Sequence, residues 1–137
     1  MTPNVIGVHH VALITADYSR ARHFYVEVLG AEIIAETWRE ARQSYKLDLR
    51  LGTAQLELFS FPSPPPRPSY PEACGLRHLA FAVTDIDHSV AALTAQGITC
   101  EPIRIDPLTQ QRFTFFSDPD GTPLELYEMP VTQRSSR

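Results

Sequence analysis

Alternating apolar and polar residues, interrupted by glycine, proline and aspartate, define the first half of this chain. The β-branched and apolar run over residues 8–14 predicts a strand, because such side chains fit a half-buried pleated surface. Asp17 is a typical helix N-cap, and Arg20 to Leu29 places its apolar residues on one helical face before Gly30 ends the helix. Three more strands are predicted near 31–38, 45–51 and 54–60. The first half therefore predicts a β-α-β-β-β module.

The second half repeats this order of elements. A strand is predicted over 77–83, Asp85 begins a helix at about 86–96, and Gly97 ends it. The remaining strands are predicted near 98–105, 112–117 and 123–128. We therefore expect an α+β fold in which a single domain, 1–137, contains two tandem modules, 5–61 and 76–129.

A proline-rich segment, 62–75, lies between the modules. Proline at this density cannot occupy a helix interior or a central strand, so we predict an extended linker with polyproline-like stiffness. A polyproline ligand for a partner domain is the alternative. The polar tail 130–137 has no apolar anchor and is predicted to be flexible.

Composition and charge narrow the class of protein. With 43% hydrophobic and 20% charged residues the chain is expected to be globular rather than disordered. A formal charge of −4 provides no basic surface for nucleic acid, and we find no apolar run of the roughly 20 residues that a membrane span needs. The absence of a signal sequence and the presence of only two cysteines favour a cytoplasmic protein.

Potential metal ligands recur at one offset. His10 and Glu57 are followed 68 residues later by His78 and Glu125. On strands each histidine shares a face with alanines, which leave room for a ligand, whereas His9 is expected on the opposite face. A lone strand histidine is more often a hydrogen-bonded structural residue, and a lone glutamate more often faces solvent. The joint repeat instead favours one divalent ion per four-residue set, and Zn, Ni, Co, Mn and Fe(II) all suit these ligands.

These motifs resemble a known superfamily. The histidine-containing first strand, the aspartate seven residues later, the repeat of both, and the turn Asp118–Gly121 before Glu125 are similar to the vicinal oxygen chelate superfamily of glyoxalases, bleomycin-resistance proteins and dioxygenases. The resemblance covers about residues 5–129 and is strongest to small bacterial glyoxalase-I-like proteins of the YaeR type. It implies a cupped mixed β-sheet around a divalent ion, and a homodimer. The family's metal ligands fall on His10, Glu57, His78 and Glu125.

The ligand set also bears on the reaction. Ring-opening dioxygenases of the superfamily keep two histidines and one glutamate, and its acyl-CoA epimerases usually have glutamine where Glu57 stands. Two carboxylates most resemble glyoxalase I, which implies a lyase or isomerase whose partner is a small-molecule substrate, a small carbonyl compound or thiol adduct. In that reaction the metal stabilises an enediolate, and a glutamate, here Glu125 or Glu57, acts as the general base. The alternatives are another metal-dependent enzyme (an epimerase, thiol transferase or dioxygenase) and a non-catalytic binding protein of the bleomycin-resistance type.

Substrate recognition is expected to involve cations, because glyoxalase I holds the carboxylates of glutathione. Arg112 is the preferred candidate, since it begins the strand that leads to the Asp118 turn. Each single arginine is nevertheless more often a solvated surface charge. The other substrate-binding candidates are Arg39, Lys46 and Tyr127, with Arg42 and Arg104 as further cations.

Overall fold

The computed structural model describes residues 1–130, and the chain divides into two compact units, Met1–Pro66 and Arg67–Arg137. Of the tail predicted to be flexible, residues 131–137 lie outside the described part of the chain. No helix within residues 1–130 has the length and apolar character needed to cross a membrane. Each unit has its own four-stranded sheet.

The first unit contains three short helical segments and four strands. In chain order these are β1 (Val11–Thr15), α1 (Tyr18–His23), a π-helical turn (Phe24–Val28), β2 (Glu32–Arg39), a 3₁₀ turn (Glu40–Arg42), β3 (Ser44–Leu51) and β4 (Ala54–Ser60). The strand order is β1-β4-β3-β2, in which β1 runs parallel to β4 and the other pairs are antiparallel.

The second unit repeats this topology. Its elements are β5 (Leu79–Val83), α2 (Ile86–Ala95), β6 (Arg104–Ile105), β7 (Arg112–Ser117) and β8 (Pro123–Glu128). The order is β5-β8-β7-β6, again with the first strand parallel to the last. The predicted α+β class is confirmed, with two mixed sheets of four strands.

Matching caps begin the two α-helices. The Asp17 carboxylate accepts a hydrogen bond from the Arg20 amide at 3.2 Å, and Asp85 accepts one from the His88 amide at 3.1 Å. Each cap satisfies an amide that has no partner within the first helical turn. The repeated aspartates therefore have a structural role.

Strand alternation gives each sheet one apolar face and one more polar face. In the first unit Leu47, Leu49, Leu56 and Leu58 are fully buried on one side. Burial of each such leucine stabilises the fold by about 1.5–3 kcal/mol. The opposite side carries Lys46, Asp48 and Glu57, which follow the intervening positions of β3 and β4. In the second unit the corresponding buried side chains are Thr114, Phe116, Leu124 and Leu126.

Several element boundaries differ from the sequence-based expectations. The first strand of each unit begins immediately after its histidine, at Val11 and at Leu79. The helix expected to continue to Leu29 changes to π geometry, in which the Leu29 amide bonds the Phe24 carbonyl at 2.9 Å. The strand expected over 98–105 is reduced to Arg104–Ile105, since Pro102 has no amide hydrogen to donate to a ladder.

Candidate metal centre

A histidine and a glutamate contact each other in the first unit. His10 Nδ1 lies 3.5 Å from Glu57 Oε2. His10 directly precedes β1, and Glu57 lies on β4 opposite Ala12. The Glu57 carboxylate is buried at the more polar face of its sheet.

The second unit contains the equivalent contact. His78 Nε2 lies 3.2 Å from Glu125 Oε1, with His78 directly before β5 and Glu125 on β8 opposite Ala80. Both the topology and the register of the first pair are thus repeated. The two pairs use different imidazole nitrogens, Nδ1 of His10 and Nε2 of His78.

The donor atoms of each pair suit neighbouring positions around one ion. Two atoms that bind a zinc-like ion at about 2.0–2.2 Å lie roughly 3–3.5 Å apart for bond angles between a right angle and the tetrahedral value. The observed separations of 3.5 Å and 3.2 Å fall in this range. Within residues 1–130 no cluster of three or more potential metal ligands occurs.

Charged groups surround Glu57. Lys46 Nζ lies 3.9 Å from Glu57 Oε1 and 3.2 Å from Asp48 Oδ1, and Asp48 is the cross-strand partner of Glu57. Gln55 Nε2 donates to Glu57 Oε2 at 3.5 Å. Lys46, a predicted substrate-binding residue, therefore lies beside a predicted metal ligand.

A further histidine contacts His10. His9 Nδ1 lies 2.8 Å from His10 Nδ1, and the two rings meet edge to face with centroids 5.1 Å apart. The expectation that His9 points away from His10 is wrong, because both residues precede β1 and strand alternation does not apply to them.

Aromatic side chains surround Glu125. Its cross-strand partner on β7 is Phe115, whose ring lies edge-on to His78 with centroids 5.1 Å apart. Tyr127 follows on the same face of β8, and its hydroxyl donates to Asp106 Oδ2 at 3.0 Å. The amide of Leu108 and this hydroxyl together hold the pKa of Asp106 below its usual value. Tyr127 is therefore on the face of Glu125, with its hydroxyl already bonded.

Two of the candidate arginines stack on phenylalanines of the more polar faces. The Arg39 guanidinium lies 4.8 Å from the centroid of Phe59 and donates to Ser44 Oγ at 2.9 Å. The Arg104 guanidinium lies 5.0 Å from the centroid of Phe113. Arginine stacked on an aromatic face is stabilised electrostatically and keeps donors for a ligand.

Arg112 lies on the opposite face of its sheet. It shares a face of β7 with Thr114 and Phe116, which are buried on the core side. Its guanidinium donates twice to Glu128 at 3.0 Å and pairs with Asp87 at 3.0 Å, which raises the pKa of Arg112 and lowers that of Glu128. This position disfavours the predicted contact between Arg112 and substrate. Arg112 and Phe115 are three residues apart on one strand, so strand alternation places them on opposite faces. Phe115 is the cross-strand partner of Glu125, and Arg112 therefore lies on the face opposite Glu125.

Comparison with known proteins identifies the family of this chain. Residues 7–126 match the sequence model of the Glyoxalase/Bleomycin resistance protein/Dioxygenase superfamily. The chain belongs to this superfamily. The uncharacterized protein YaeR of Escherichia coli is 61% identical over 122 residues, which cover 88% of this chain and 95% of YaeR. A 2-epi-5-epi-valiolone epimerase from Actinomyces sp is 34% identical over 94% of this chain and 82% of the epimerase.

Solved structures give the same fold for this superfamily member. A glyoxalase family protein from Enterococcus faecalis aligns with a TM-score of 0.84 and 50% identity over 90% of this chain and 98% of that one. A mutant of the fosfomycin resistance protein FosX from Listeria monocytogenes, complexed with Mn(II) and 1S,2S-dihydroxypropylphosphonic acid, aligns with a TM-score of 0.70 over 95% of each chain. At 20% identity this second likeness concerns the fold alone. The expected resemblance to the superfamily, including YaeR, is confirmed.

Proposed function

We propose that this protein is a divalent-metal-dependent enzyme that transfers a proton at a carbon next to a carbonyl group, as a lyase or isomerase of the glyoxalase I type. The observation that carries the proposal is the repeated His–Glu contact, at 3.5 Å in one unit and 3.2 Å in the other, in the same strand register. Superfamily membership and the relative that is an epimerase support it.

The proposed metal ligands are one histidine and one glutamate of each unit, namely His10, Glu57, His78 and Glu125. Imidazole and carboxylate donors suit Zn, Ni, Co, Mn and Fe(II). A FosX protein of the same fold has been solved with Mn(II). When bound, the ion would supply Lewis-acid stabilisation for negative charge on substrate oxygens.

The proton would be moved by a glutamate. Glu125 has Phe115 and His78 as neighbours. Glu57 has His10, and in addition Lys46 and Gln55. A carboxylate with fewer partners is freer to reach a carbon-bound proton, so we assign the general base to Glu125 and retain Glu57 as the alternative. Arg39, Arg104, Lys46 and Tyr127 lie on the faces that carry the two glutamates and are the proposed substrate contacts.

Epimerisation is the second candidate reaction, favoured by the 34% identical epimerase. Both reactions begin with removal of a proton next to a carbonyl. They differ in the carbon, or the face of the carbon, to which the proton returns.

Solvent-exchange NMR tests the proposal. Zn-, Ni- and Co-loaded protein is incubated in D₂O with the methylglyoxal–glutathione hemithioacetal, with other thiol adducts and with acyl-CoA esters. At least one compound should be converted with deuterium incorporated next to its carbonyl, and metal-stripped protein should lose this activity. Equal exchange by stripped protein, or none by fully loaded protein across the panel, contradicts the proposal.

We also propose that the protein forms a homodimer. β1 and β5 are edge strands of their sheets, and exposed strand edges are normally paired or covered. Light scattering should therefore give twice the chain mass of 15.4 kDa. A mass equal to one chain at micromolar concentration would exclude the dimer.

A further inference from the structure

The second unit contains a cavity of about 790 Å³, within the size range of sites for small organic molecules. Its walls are formed by the segment that begins at Arg67, by Arg77 and His78, and by Cys100 with Phe115. Every lining residue belongs to this unit. Because His78 contacts Glu125 at 3.2 Å, the cavity adjoins one of the two His–Glu pairs.

The charge of the cavity differs from that of the chain. Three arginines and two glutamates line it, although the whole chain carries −4. Arg104 pairs with Glu101 at 3.1 Å, so these two charges largely cancel. Burial raises the pKa of the Cys100 thiol, which keeps that wall neutral. The remaining charges are Arg67, Arg77 and Glu72.

The two remaining arginines differ in their contacts. Arg67 Nη2 donates to the carbonyls of Leu76 at 2.5 Å and Arg77 at 3.0 Å, and Arg67 Nε donates to Ser69 Oγ at 3.1 Å. Arg67 thereby fixes the backbone directly before His78. Within residues 1–130 the structure gives the Arg77 guanidinium no hydrogen bond or ion pair, and Arg77 is exposed.

We propose that Arg77 binds the anionic group, a carboxylate or a phosphate, of the substrate whose reacting carbon lies beside His78 and Glu125. A guanidinium offers two parallel hydrogen-bond donors to either anion. It therefore neutralises the charge of the anion and also fixes its orientation. Arg67 is a positioning residue, because it holds the peptide that carries Arg77. This inference rests on the proposed function for the identity of the reacting site, and it specifies the substrate as an acid.

The test is anion binding followed by ¹H–¹⁵N NMR of the full chain. L-lactate and inorganic phosphate are titrated as the carboxylate and phosphate probes, and neutral lactamide is the control ligand. Each titration is run on zinc-loaded and on EDTA-stripped protein, so that an anion bound directly to metal is recognised. The variants are Arg77→Gln, Arg77→Lys and the surface control Arg20→Gln, which changes an exposed helix arginine outside the cavity.

At least one anion should shift the amides of His78, Cys100 and Phe115 saturably in both forms of the protein, and lactamide should not. Arg77→Gln should weaken that binding about tenfold or more, Arg77→Lys less, and Arg20→Gln should have no effect. The stronger probe identifies carboxylate or phosphate as the bound group. Equal titrations of Arg77→Gln and Arg20→Gln, or shifts that require zinc, overturn the inference while leaving the metal enzyme intact. Arg77-dependent binding by a protein that takes up no metal would instead remove the proposed function alone.

Discussion

The two modules share a topology and a His–Glu pair, but they surround the glutamate differently. In the first module the residue opposite Glu57 is Asp48, with Lys46 3.9 Å from Glu57. In the second module the residue opposite Glu125 is Phe115. The residue opposite the glutamate therefore differs between the modules, while the strand positions of the His–Glu pair are the same. Within this repeat, the position of the pair is kept and its surroundings are not.

This difference gives the glutamates different expected roles. Glu57 has a cation and an amide donor as neighbours in addition to His10. Such contacts hold a carboxylate in one orientation, as required of a permanent ligand. Glu125 has an aromatic neighbour that donates no hydrogen bond, so less is lost when its carboxylate moves towards a proton. The comparison thus favours Glu57 as the fixed ligand and Glu125 as the base.

Loss of a histidine should have the largest effect. His10→Ala and His78→Ala each remove a proposed ligand, so metal affinity should fall by more than about a hundredfold, since changes in groups that merely orient ligands already cost 10–100-fold. The matched control is His88→Ala, an exposed residue of α2. Metal content after dialysis is measured by elemental analysis. Full metal retention in either ligand variant would show that the two pairs do not share an ion.

Replacement of each glutamate by glutamine should distinguish the roles of the two glutamates. An amide can coordinate through its oxygen but cannot accept the proton. Glu125→Gln should therefore keep its metal and lose turnover by about 10²–10⁴-fold, the usual contribution of a general base. Glu57→Gln should lose less, because the change weakens a ligand and leaves the base in place.

The two variants are compared by turnover and by metal content in the same preparations. A larger loss of turnover in Glu57→Gln would exchange the roles assigned to the two glutamates. Equal turnover of wild type and Glu125→Gln would remove proton transfer by Glu125 from the mechanism.

Much of the fold could be predicted from local sequence patterns. The aspartate caps, the terminal glycines and the leucine alternation of β4 indicate the same elements that the structure contains. The errors occur where a local pattern competes with another constraint. The π turn buries both Phe24 and Tyr25, as the helical spacing predicts, but that spacing does not distinguish π from α geometry.

The candidate site was predictable to the extent that it repeats. The two contacts His10–Glu57 and His78–Glu125 follow from the shared offset and from parallel strand pairing. Asp48 is a neighbour of Glu57 that the repeated offset does not indicate; the short turn at Gly52 fixes the register of β3 and β4 and so places Asp48 opposite Glu57. Arg77 is harder to find, because its position depends on how the linker residue Arg67 binds the backbone of Leu76 and Arg77.

The modules also differ in the ion pairs that join helix to sheet. Arg22 of the first helical region pairs with Glu36 of β2 at 2.9 Å, and Tyr18 donates to the same carboxylate. Arg112 of the second module joins two carboxylates, Glu128 and Asp87, each at 3.0 Å. The side chain of Glu128 is 18% exposed and that of Glu36 is 34% exposed, so solvent screens the second-module pair less.

Acid titration of stability should reveal this last and smallest difference. The hydrogen bond from Arg112 lowers the pKa of Glu128 from its ordinary 4.5, and that from Arg22 lowers the pKa of Glu36 in the same direction. Because the folded-state pKa is lowered, the unfolded chain binds more protons than the folded protein near pH 4.5. The stabilisation is therefore present above that pH and is lost as the pH falls through the folded-state pKa. Arg112→Gln should therefore lower the urea midpoint at neutral pH, and the gap from wild type should close in acid. Arg22→Gln should show the same trend with a smaller gap, and Arg20→Gln should show none. A gap for Arg112→Gln that stays constant down to acid pH would mean that Arg112 stabilises through packing of its aliphatic stem rather than through the carboxylates.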